Sequence, residues 1–162
     1  MGKTVTSAHH THPTGAPPQR QFAGPSDLYL SDLPHRAGDA VLDQLFYATR
    51  DECLDPGCRP VLLDRIADDA VATRRLVDWA CLIASELYGG LPAELIDEKA
   101  AAETLFHPPA VFCRLAAEYH ERGRIDGAVY DTCDAGQRRE AAATAVALVS
   151  GFEVWWTDFL YQ

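Results

Sequence analysis

The C-terminal stretch, residues 137–162, constrains the fold more than any other part of the chain because it is apolar on nearly every side of a helix. Apolar residues recur in it at alternating steps of three and four, which is helical spacing, and Leu148 and Trp155 form a second stripe beside the first. The first stripe consists of Ala142, Ala145, Val149, Phe152, Trp156 and Phe159. A helix that is apolar all round is either the central helix of a bundle or a membrane span.

The polar residues inside this stretch decide between the two alternatives. Glu153 and Asp158 would be costly in hydrocarbon. The first half of the stretch is dominated by alanine and is only weakly hydrophobic. We therefore predict a buried core helix and no membrane anchor.

The preceding part of the chain supplies further helices that could surround this one. Proline stands near the start of three of them and glycine follows the end of two, which is the usual asymmetry of helix ends. The longest would have about twice the usual length of a helix, so a break near Thr73 is an alternative to one continuous helix. The predicted helices cover residues 39–54, 60–88, 92–106, 109–123 and the C-terminal stretch, with a short helical or strand-like piece at 125–133.

Fold class and domain organisation follow from these helices. No segment alternates apolar and polar residues between hairpin turns, so strands are not expected. We predict an all-α bundle of five or six helices with the apolar C-terminal helix at its centre. Residues 1–25 are rich in Thr, His, Pro and Gly and predict a disordered N-terminal tail, and residues 26–162 predict a single helical-bundle domain.

The charge balance restricts the classes of partner. A net charge of -10 and a pI of about 4.9 argue against direct binding to nucleic acid or to an anionic membrane, because both bind basic patches on proteins. A protein partner or self-association remains as the expected mode of interaction. Five cysteines, an odd number, and an N-terminus without the apolar core of a secretory signal favour a cytoplasmic location.

Cysteine and histidine residues raise the question of a metal site. The ligand types of zinc are present, but the spacing C-x4-C is wider than a zinc knuckle, and no second pair follows at a finger-like distance. Cysteine also serves as a small core residue, which is the interpretation we favour here, and we expect no cofactor. The candidate metal ligands, should a site exist, are Cys53, Cys58, Cys113, His107 and His120.

Aromatic residues are the better candidates for a functional surface. Adjacent tryptophans on a helix point about 100° apart, so Trp155 or Trp156 would lie near the surface unless the helix is completely enclosed. Exposed tryptophan beside apolar neighbours is typical of an interface or a ligand pocket. The candidate residues for such a site are Trp79, Tyr119, Trp155, Trp156 and Phe159.

No catalytic motif accompanies these residues. The sequence contains no nucleophile elbow, no phosphate-binding glycine loop and no H-E-x-x-H pair. The first hypothesis is therefore a non-enzymatic cytoplasmic interaction protein, an accessory, regulatory or immunity-type factor that acts through an acidic helical surface as a homodimer. The alternative is a helical bundle that binds a small molecule or a metal in a pocket between helices, with or without catalysis.

Overall fold

The computed structural model describes residues 45, 48, 49, 53–56, 58–125 and 127–155, and of residues 152–155 it describes only the backbone. The predicted tail and most of the predicted helix 39–54 lie outside these residues, as do Trp156 and Phe159. The boundary between tail and domain therefore stays a prediction.

All regular structure in the described part of the chain is helical, which confirms the predicted all-α class. Leu45, Ala48 and Thr49 are helical as well, and one turn of 3-10 helix precedes the last long helix. The helices are α1 (Arg59–Ala67), α2 (Ala70–Tyr88), α3 (Ala93–Ile96), α4 (Glu98–Ala101), α5 (Ala110–Arg122) and α6 (Ala135–Trp155), with the 3-10 turn at Tyr130–Thr132.

The C-terminal helix α6 lies against α1, α2 and α5, which is the central position that its sequence predicts. Its inward residues are small or aliphatic, so neighbouring helices can approach closely while apolar surface is removed from water. Six of them are at most 1% exposed: Ala141, Ala142, Ala145, Val146, Leu148 and Val149.

The predicted helix over residues 60–88 is interrupted, and the break lies a few residues before Thr73. Helix α1 ends at Ala67, and the side chain of Asp69 accepts a hydrogen bond from the Ala72 N–H at 3.0 Å, which caps the start of α2. The Thr73 hydroxyl donates to the Ile66 carbonyl at 2.8 Å and so ties the two helices together across the break. Apolar spacing continues through this point, which is why the sequence pattern suggested one helix.

Glycine ends two helices where the sequence predicts it. Gly89 follows α2 with φ 71° and Gly123 follows α5 with φ 72°, a left-handed conformation that favours glycine. Between these ends, the predicted helix 92–106 was too long: it is divided into the two short helices α3 and α4, and residues 102–106 form turns and bends. Asp97 separates them and accepts a hydrogen bond from the Lys99 N–H at 3.2 Å.

The start of α6 is fixed by a reciprocal pair of hydrogen bonds. The Gln137 N–H donates to the Asp134 carboxylate at 2.8 Å, and the Asp134 N–H donates to the Gln137 side-chain oxygen at 3.0 Å. This is a capping box, which satisfies two backbone donors at the helix start. The helix therefore begins at Ala135, two residues before the stretch that its apolar spacing marked out.

Candidate functional site

A groove lies between α1, α6 and the described residues among positions 45–56, and we call it the α1–α6 groove. Its volume is about 560 Å³, within the range of about 300–1,000 Å³ that small-molecule sites usually have. Apolar side chains form most of its wall. The uncharged lining residues are Leu45, Thr49, Cys53, Leu54, Pro56, Pro60, Leu63, Ala143, Val146 and Ala147.

Local sequence explains why this space is open. The Cys58 N–H donates to the Asp55 carbonyl at 3.0 Å, which closes a turn and directs the chain into α1. On α6, Ala143 and Ala147 are one turn apart and so share one face. Their side chains are too short to fill the space that larger residues would occupy, and both line the groove.

Among the described residues, three charged ones also line the groove: Arg59, Arg139 and Asp55. The Arg139 Nε donates to the Asp64 carboxylate at 2.5 Å, and this ion pair joins α6 to α1 beside the groove. Both side chains are substantially exposed, so the pair contributes about 0–1 kcal/mol to the free energy of unfolding. Arg139 thus lines the groove while its Nε binds Asp64 beside it.

A second polar feature lies on α2 and α5, where Arg74, Asp78 and Glu118 bind the backbone of the connection between α5 and α6. We call these three side chains the polar seam. Asp78 accepts from the Ile125 N–H at 2.8 Å, and Arg74 donates to the Ile125 carbonyl at 3.1 Å. Both polar groups of one residue are thus bound by side chains one helical turn apart on α2.

Glu118 completes the seam from α5. It is 7% exposed and accepts from the Val129 N–H at 3.2 Å. Burial raises the pKa of Asp78 to about 6, while the bond from Ile125 and the charges of Arg74 and Arg75 oppose this rise and the charge of Glu118 adds to it. Because each carboxylate binds a backbone N–H, the seam has a structural use that needs no substrate.

Tyr130 anchors the far end of the same connection. Its side chain is 1% exposed, and the Arg138 guanidinium carbon lies 4.8 Å from the centre of its ring, a cation–π distance. Burial raises the pKa of Tyr130, and the Thr73 hydroxyl and the Arg138 charge lower it by less. Tyr130 therefore ties the 3-10 turn to the core just before α6.

The described members of the predicted aromatic site lie away from the groove. Trp79 is buried on α2 and Tyr119 is half-buried on α5, and neither lines the groove. Trp155 is the last described residue of α6 and only its backbone is described, and Trp156 and Phe159 lie outside the described residues. The aromatic site remains a prediction.

The candidate metal ligands occupy different environments. Cys53 is half-buried and lines the groove, Cys58 and Cys113 are buried, and His107 and His120 are exposed. In the described ranges, no three His, Cys, Asp or Glu side chains come together in a way that could hold a metal ion. All five cysteines are thiols.

Burial also controls the chemistry of two thiols on α2 and α5. Desolvation raises the pKa of Cys81 strongly, with a smaller contribution from the charge of Asp78. Desolvation raises the pKa of Cys113 to about 11, and the charges of Glu98 and Asp97 add to this effect. Both thiols therefore stay protonated at neutral pH, and thiolate is the form that binds metals and attacks electrophiles.

Sequence reasoning missed the residues that form the groove. Arg59 and Arg139 lie near the starts of two helices that are far apart in the chain, and nothing in their spacing indicates that they line one groove. The alanines of α6 did carry a signal, because Ala143 and Ala147 recur one turn apart. That signal fits close helix packing equally well, so it could not locate a groove.

Comparison with known proteins adds no assignment for these features. No protein-family model, curated protein or solved structure matches the chain significantly. Among the described residues, no helix combines the length and the hydropathy that a crossing of the bilayer requires.

Proposed function

We propose that this chain is a non-enzymatic binding protein that takes a small organic ligand into the α1–α6 groove. The observation that carries the proposal is the groove itself, with a volume of about 560 Å³ and a mostly apolar wall. Ligand sites typically combine such a wall with a few polar groups that orient the ligand. Here the polar groups are Arg59, Arg139 and Asp55.

The absence of catalytic motifs in the sequence supports a binding function over an enzymatic one. The two best candidates for acid–base chemistry, Asp78 and Glu118, already accept backbone hydrogen bonds in the polar seam. Their role in holding the connection before α6 accounts for their burial. The net charge of -10 and the odd number of cysteines support a cytoplasmic protein that binds neither nucleic acid nor membrane.

The test is to fill the groove and measure binding of a neutral probe. Ala147 is half-buried and lines the groove, so Ala147→Phe should occupy part of the space without cutting into the core. We expect the affinity for the uncharged, environment-sensitive dye Nile red to fall by about tenfold or more, which corresponds to about 1.4 kcal/mol. Fluorescence titration measures this affinity.

The matched control is Ala110→Phe, the same change at an exposed position at the start of α5, away from the groove. This variant should bind the dye as the parent protein does. Circular dichroism should confirm that both variants retain their helices. Equal dye affinity in all three proteins would refute the groove as the binding site.

A second candidate function is a protein interaction through the same face, in which a homodimer forms. It is supported by Leu54, which lines the groove and has a side chain that is 92% exposed, so the apolar surface continues beyond the groove. Dimerisation would remove that surface from water. Proteins of this kind act as accessory or regulatory factors, and the acidic surface would direct the choice of partner.

Analytical ultracentrifugation separates this second candidate from the first. A homodimer through this face predicts a mass that rises from 17.8 kDa to twice that value with concentration, and Leu54→Ser should shift the transition to higher concentration. Leu105→Ser, at another exposed leucine that does not line the groove, should have no such effect. A monomer at every concentration would exclude the homodimer.

A further inference from the structure

We draw no further inference here: the strongest candidate, the Cys53 thiol in the wall of the α1–α6 groove, is a single cysteine of the site already described, and nothing among the described residues indicates a ligand that would bind or modify it.

Discussion

At the scale of single residues, the protonation of Asp78 in the polar seam changes the stability of the fold. Asp78 binds the Ile125 N–H at 2.8 Å from a half-buried position on α2. Burial raises its pKa from 3.8 to about 6, so the folded protein holds this proton more tightly than the unfolded chain does. The ionised Asp78 carboxylate therefore lowers the free energy of unfolding above about pH 6. This loss disappears as the pH falls from about 6 towards 3.8.

The substitution Asp78→Asn tests this coupling. The amide oxygen can still accept from Ile125, but the side chain no longer titrates. The gap between 3.8 and about 6 corresponds to about 3 kcal/mol at full burial, and solvent screening at this half-buried site reduces the expected change to about 1 kcal/mol. Urea denaturation measures the free energy of unfolding of both proteins. The value of the parent minus that of the variant should rise by this amount as the pH falls from about 7 to about 4.5.

Asp68→Asn serves as the matched control for the pH experiment. Asp68 is an exposed aspartate in the turn just before α2, and it makes no side-chain cap bond to that helix. The parent protein should show no comparable change in stability relative to this control. A pH dependence identical in all three proteins would contradict the assigned role of Asp78.

At the scale of elements, the ends of helices were more predictable than their continuity. Pro109 before α5 and the glycines after α2 and α5 act through local backbone geometry, which a sequence displays directly. The break between α1 and α2 was harder to place because apolar spacing runs through it. The position of the break depends on one hydrogen bond, which the Ala72 N–H donates to the Asp69 side chain. A neighbouring polar residue could have made the same bond.

Removal of this cap should weaken α2 measurably. Asp69→Ala leaves the N–H of Ala72 without its side-chain acceptor and should lower the free energy of unfolding by about 1 kcal/mol. Asp68→Ala, the same change one residue earlier where no side-chain cap bond forms, should cost clearly less. Thermal denaturation followed by circular dichroism measures both. Equal losses in the two variants would show that the cap does not set the start of α2.

At the scale of the whole molecule, the all-α class and the central position of α6 were predictable, since a helix without a polar face must be enclosed. Leu148 is 0% exposed and belongs to the stripe beside the main apolar series. The groove was not predictable, because it arises where helices distant in the chain fail to fill the space between them. Its arginines come from α1 and α6, and only the fold brings them together.

Truncation of a core side chain tests the central position of α6. Leu148→Ala should lower the free energy of unfolding by about 2–5 kcal/mol, since it removes buried apolar contacts and leaves a cavity. Leu105→Ala removes the same atoms from a leucine that is 84% exposed, and its effect should stay within about 0.5 kcal/mol. Urea denaturation of both variants makes the comparison. Similar small losses would mean that α6 is not enclosed.

The central claim is that the α1–α6 groove holds a ligand, and native mass spectrometry of untagged protein purified from its own source tests it most directly. We predict an extra mass of one small organic molecule on the chain of 17.8 kDa, and a loss of that mass when Ala147→Phe fills the groove. A chain that carries no added mass, or an added mass that Ala147→Phe leaves unchanged, would contradict the claim.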